Sequence, residues 1–237
     1  MAALAAFAGA YIRGFTGFGA NLIWAPALVS VMEPVQAVAI MGLVGMVGTV
    51  QIAIPAAKDA NWKEILPIVL ASWITVPFGI WALYLMEAEN VRRVIGIFIL
   101  LIAFILMTGW RYHGDRTGIK GRLAQATTGG IGGWLAGFGG IGGPVLVLYF
   151  MASTAPALIQ RANNVIAVSS LIPMVIGILI YKGAITEIIL IQSAILFFPF
   201  TVGTWLGAHS FTLASPIIFR KIVLVLLIII GIFALGL

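Results

Sequence analysis

The sequence of 237 residues contains no cysteine. That absence excludes disulfides, thiolate nucleophiles, cysteine-ligated metals and thiol redox relays together. Charge is scarce as well: 8% of residues are Asp, Glu, Lys or Arg, against roughly 25% in a soluble domain. A chain so poor in charge cannot cover a water-facing surface, so lipid must be its main solvent. There are only two histidines, His113 and His209, and no HExxH motif. No acidic residue falls in the middle of an apolar run, so an intramembrane enzyme lacks its nucleophile, base or metal ligands. No cofactor and no metal site is implied. No basic stretch of the kind that opens a cleavable signal peptide precedes the first apolar residues, Ala2 to Ile12. That start, already inside apolar sequence, is what a shortened N-terminus would look like.

What the chain has is hydrophobicity, 62% of residues with a mean hydropathy of +1.16. Charge-free runs cover 14–32, 34–57, 65–86, 94–110, 123–160, 162–181, 188–219 and 222–237. These are about eight hydrophobic segments, and a membrane-crossing helix needs about 20 apolar residues. The expected fold is an all-α polytopic membrane protein of the cell inner membrane. Trp62, Tyr84, Trp110, Tyr112 and Tyr181 stand near run ends, where amphipathic rings suit the headgroup level. Trp24, Trp73, Trp81, Trp134 and Trp205 read as core aromatics. The net charge of +6 reflects basic loops rather than a nucleic-acid partner, because no basic cluster lies outside a loop.

Two runs are too rich in glycine for a simple span. Residues 123–160 form 38 charge-free positions, about 57 Å as one helix, against a hydrocarbon core of about 30 Å. The stretch from Gly129 to Pro144 is expected to break it, since each helical glycine costs about 1 kcal/mol against alanine. Residues 1–32 show the same design around Gly14-Phe15-Thr16-Gly17-Phe18-Gly19.

The two halves also match in order. Gly17-Phe18-Gly19 pairs with Gly137-Phe138-Gly139, and Pro34 and Gln36 with Pro156 and Gln160. Trp62-Lys63-Glu64-Ile65 pairs with Ile185-Thr186-Glu187-Ile188, Pro77-Phe78 with Pro199-Phe200, and Arg92-Arg93 with Arg220-Lys221. The expected organisation is a first repeat over 1–110, a basic cytoplasmic linker over 111–120 and a second repeat over 121–237. If the first segment of each half is a re-entrant hairpin followed by three transmembrane helices, the repeats are inverted. That layout puts nine basic residues inside and three outside. Eight full crossings give seven and five; the hairpin layout differs by moving Arg161, Arg220 and Lys221 inside and Lys182 outside. The hairpin layout fits the positive-inside rule better and places both termini outside.

Inverted repeats with broken helices are the signature of secondary transporters. A helix interrupted at mid-membrane leaves unpaired N–H groups at the start of its second half, which are tolerable only facing a cavity and a ligand. Helix N-termini favour anions. Here the second half-helices are expected to begin near Ala20 and Pro144, forming a cage for a small anion.

The glycine-rich openings Gly14-Phe-Thr-Gly-Phe-Gly19 and Gly137-Phe-Gly-Gly-Ile-Gly-Gly-Pro144, with the duplicated halves and basic linker, resemble the TauE/SafE sulfite exporter family. The resemblance implies transport of a small sulfur-containing or organic anion such as sulfite, a sulfonate or sulfoacetate. A cysteine-dependent thiosulfate mechanism of a distant group is excluded here. The alternative on the same cage is a passive channel or uniporter. The partners are then the anion and the bilayer, with a homodimer as a candidate assembly.

The substrate-binding candidates are Arg13, Thr16, Gly17, Gly19, Asn21, Gln36, Gly137, Gly139, Gly140, Gly142, Arg161, Asn163 and Asn164. Arginine is costly in a membrane and its fork suits sulfonate or carboxylate oxygens. Against that, Arg13 could snorkel and Arg161 could be an ordinary loop arginine. Asn163 and Asn164 could donate to an anion or bond across helices. Glu33 is a candidate proton-coupling carboxylate, or simply a helix-start acid before Pro34. Gln51 and Gln125 are expected to join helices, and His209 to lie in a loop.

Overall fold

The computed structural model describes residues 2–108 and 116–211. Arg220, Lys221, the last apolar run and the first half of the linker, 111–115, lie outside the described residues. Within them the chain is all helix: α1 (Ala2–Thr16), α2 (Ala20–Val29), α3 (Pro34–Ala56), α4 (Trp62–Leu85), α5 (Ala88–Met107), α6 (Gly118–Gly139), α7 (Gly143–Met151), α8 (Ala157–Tyr181) and α9 (Glu187–Phe211). Four of them, α3, α4, α8 and α9, are long and apolar enough to cross a membrane. The shortest, with 23 residues, spans about 35 Å at 1.5 Å per residue, enough for the hydrocarbon core. The chain is a polytopic membrane protein.

Helix starts follow local chemistry. Pro34 opens α3 just after Glu33, and Pro144 stands in the first turn of α7, where a missing N–H costs nothing. Both short helices follow a glycine break. Gly17 and Gly19 take φ of 85° and 90°, and Gly140 takes 69°, conformations that favour residues without a Cβ.

The glycine run after Gly129 behaves differently from expectation. α6 continues unbroken through Gly129, Gly130, Gly132, Gly133 and Gly137, and the chain breaks only at 140–142. The reason is packing. Gly129, Gly133 and Gly137 recur every four residues and so share one helix face. A Cβ on each would collide with the carbonyl oxygens of Ile68, Ser72 and Val76 of α4. Backbone-to-backbone approach of this kind drives helix association in lipid. Two hydroxyls add bonds across the seam: Ser72 Oγ donates to Gly129 O and Thr75 Oγ1 to Gly130 O, each at 2.8 Å. α1 and α9 pack in the same way. Gly14 meets Thr204 O, and Gly207 of α9 meets Tyr11 O.

The neighbours therefore alternate between the halves. α1 lies along α9, α4 along α6, and α3 against α8; α3 also touches α9, as α8 touches α4. Swapping α1 with α6, α2 with α7, α3 with α8 and α4 with α9 leaves this pattern unchanged.

Trp24 is fully buried and stacks on Phe200 at 5.2 Å. Trp134 is partly buried and stacks on Phe138 at 5.0 Å. Trp73, Trp81 and Trp205, expected in the core, are instead exposed on the outer surface with Ile74, Phe78 and Phe198. In a bilayer an apolar outer surface has no reason to turn inward, so burial does not follow from hydrophobicity. His209 lies in the last turn of α9 rather than in a loop, stacked on Trp205. Gln51 is exposed and makes no hydrogen bond to another helix among the described residues. Gln125 is buried, and its Nε2 donates to Arg116 O.

Candidate functional site

The two breaks meet. Asn21, in the first turn of α2, donates from Nδ2 to Gly140 O at the end of α6, 2.8 Å away. Beside this contact lies a cavity of about 60 Å³. Its floor and roof are the first turns of the two short helices, Ala20 to Leu22 of α2 and Gly143-Pro144 of α7, with the breaks at Gly19 and Gly140–Gly142. α3 and α8 contribute an apolar wall including Met41 and Leu171. The first N–H groups of any helix lack partners within the helix and carry its positive end. Both short helices therefore present that end to one small space.

Arg13 of α1 lines the same cavity. It is 4% exposed. Its Nη1 donates to Gly45 O at 3.1 Å and its Nη2 to Thr49 Oγ1, both on α3, and the guanidinium lies 5.9 Å from the centre of the Phe200 ring. Its Nε is buried without a partner, and no acid pairs with it among the described residues. A buried charge with no counter-charge is destabilising by several kcal/mol. An anion in the cavity removes that cost. A Cβ at Gly45 would lie 3.3 Å from Arg13 Nη1, a tight approach.

Of the residues singled out in the sequence, the cavity gathers Arg13, Gly19, Asn21, Gly140 and Gly142. The others lie elsewhere. Thr16 shapes the first break, its Oγ1 donating to Ile12 O and accepting from Phe18 N. Gly17 faces Val165, and Gly139 faces Ile95. Gly137 packs on α4. Gln36 and Glu33 are exposed at the start of α3. Asn163 accepts from Asn61 N at 2.8 Å and donates to Glu64 at 3.4 Å. Asn164 is buried, and its Oδ1 has no partner among the described residues.

Arg161 has a defined task away from the cavity. Its Nη2 donates to Gly14 O at 2.6 Å and its Nε to Phe15 O at 3.3 Å, while the guanidinium stacks over Phe211 at 4.5 Å. These carbonyls end α1, where the chain break leaves them without helical N–H partners and where a cation is favoured by the dipole. Arg161→Gln should therefore lower stability by about 2 kcal/mol and leave anion affinity unchanged. Denaturant melts and binding isotherms on the same protein check both parts.

Sequence reasoning missed Gly45 and Thr49 as the partners of Arg13, and it missed the pair Glu64–Arg116, 2.6 Å apart. The available signal for the pair was Glu64 standing near the start of an apolar run, opposite Glu187 in the matching half.

Residues 1–234 match the family described as sulfite exporter TauE/SafE. The chain belongs to the TauE/SafE family. No curated protein and no solved structure matches it. TauE/SafE proteins are membrane transporters.

Proposed function

We propose that the chain is a secondary transporter of the inner membrane that moves a small sulfur oxyanion, sulfite first, bound between the first turns of α2 and α7 with Arg13 as its cation. The observation that carries this reading is the convergence of two helix N-termini and an acid-free buried arginine on one cavity. Family membership supports the substrate class. Cavity size favours the smaller anions. At 10–15 Å³ per water, about 60 Å³ holds about four to six waters' worth of probe space. That suits sulfite, with four heavy atoms, better than a sulfocarboxylate.

The exchange symmetry of the helix contacts supports the inverted-repeat reading. α1–α2 and α6–α7 are then the broken elements of the two repeats, and the cavity sits between them. In such a layout one repeat rocks against the other around a fixed site. Protons are the coupling ion to test first, with Glu33 at the start of α3 as the carboxylate in question.

The test is flux of labelled sulfite and of sulfoacetate into proteoliposomes, with and without a pH gradient. Saturable sulfite flux that follows the gradient and exceeds sulfoacetate flux is the expected result. Saturable flux indifferent to the gradient would mean a uniporter or another coupling ion. Absence of flux for both anions in folded protein would sink the substrate class.

A further inference from the structure

A second and much larger cavity, about 850 Å³, opens beside the starts of α4, α6 and α8. Lys63, Arg116 and Arg122 line it, and among the described residues the only acid in its lining is Glu64, so these described residues contribute three positive charges and one negative. Lys63 and Arg122 are exposed and make no ion pair among the described residues. Gln125 and Ser153 add polar groups to the wall. The positive ends of three long helices add to the same potential, and a concave, low-dielectric wall concentrates the field.

The arrangement around Arg116 has the form of an oxyanion receptor. Arg116 is fixed: its Nη2 donates to Tyr149 O at 2.7 Å, and its guanidinium lies 4.5 Å over the Tyr149 ring. Its Nη1 donates to Glu64 Oε1 at 2.6 Å. The other carboxylate oxygen accepts from Asn163 Nδ2 at 3.4 Å, and Asn163 is itself held by Asn61 N. A guanidinium and an amide thus grip the two oxygens of one carboxylate, the same donor set that binds a free sulfur or phosphorus oxyanion. The chain's own Glu64 occupies it.

We propose that this vestibule is a second anion site. Lys63, Arg122 and Arg116 hold a small oxyanion there, and the Glu64 carboxylate is its built-in competitor for Arg116. The inference rests on the oxyanion class proposed above, but not on the central cavity. The vestibule lies on the face that the basic linker assigns to the cytoplasm, so it loads or receives the cargo on that side.

The two sites separate by titration. Protein in nanodiscs of neutral phosphatidylcholine is titrated calorimetrically with sulfite under nitrogen. Wild type is expected to show two classes of site. Arg13→Gln should keep the vestibule step alone. The double variant Lys63→Gln/Arg122→Gln removes two exposed charges and should fold normally; its vestibule step should weaken about tenfold while the central step stays. Glu64→Gln keeps the side chain's shape and removes the competing charge, so the vestibule step should tighten about tenfold. An unchanged isotherm in the double variant overturns the proposal. So does the loss of every step in Arg13→Gln, or weaker vestibule binding in Glu64→Gln. Loss of all binding in the double variant with none lost in Arg13→Gln would keep the vestibule and remove the central site. Repeating the titration with phosphatidylglycerol in the discs identifies the source of the oxyanion. Loss of the vestibule step points to a lipid headgroup, and its persistence to the free anion.

Discussion

Arg13→Gln is expected to insert and fold, yet bind sulfite at the central site about a hundredfold more weakly, with flux at low substrate falling in proportion. The size follows from the burial. Arg13 is 4% exposed and without a carboxylate partner, so its interaction with an incoming anion is poorly screened. Losing one partner of such a desolvated pair costs about 2–5 kcal/mol, and a hundredfold is about 2.7 kcal/mol. Folding should suffer less, because replacing a buried charge that lacks a counter-ion by a neutral group of similar shape is often neutral or stabilising. Arg13→Lys is the sharper control. Lysine keeps the charge but loses the two-ended grip on Gly45 O and Thr49 Oγ1, so it should recover only part of the affinity. Binding isotherms and thermal midpoints on the same samples decide. Full sulfite affinity in folded Arg13→Gln protein would take the arginine out of the site.

The second large effect is expected from a single methyl group. At Gly133 an added Cβ would overlap Ser72 O and Thr75 Oγ1. Neither can retreat, one being helix backbone and the other already donating to Gly130 O. Gly133→Ala should destabilise the protein by roughly 3 kcal/mol, at the upper end of overpacking costs, and Gly133→Leu should fail to accumulate. Gly177 in α8 is the matched control, since a Cβ there meets nothing within 4 Å among the described residues. Gly177→Ala should stabilise by about 0.5–1 kcal/mol through the unfolded chain. Equal behaviour of the two variants in denaturant melts would contradict the close approach of α4 and α6.

The comparison of these glycines shows where sequence reading succeeds and where it stops. The breaks at 17–19 and 140–142 were legible, because glycines there are followed by a new helix start, with Pro144 as its marker. The helical glycines 129–139 were not told apart from them, although their four-residue recurrence was a signal of a packing face. Arg13 was legible as an arginine beside a break; its partners at Gly45 and Thr49, a turn apart on α3, were not, since nothing local marks them. Arg161 drew attention for the right reason, its cost in a membrane. Its service to the end of α1 depends on a contact 147 positions away in sequence. The exposed tryptophans were misplaced because hydrophobicity stops reporting depth once the solvent is itself apolar.

The pairing of α1 with α9 and α4 with α6 also bears on how the protein is made. As the chain enters the membrane in order, α1 precedes α9, the helix that its Gly14 face fits, with seven described helices between them. Arg13 must wait for α3 to provide Gly45 and Thr49. Early intermediates thus hold an unsheltered arginine and unmatched glycine faces until the later helices arrive. Such long-range closure slows assembly. It also predicts that the two halves, made as separate polypeptides, recover function only when both are present in the same membrane.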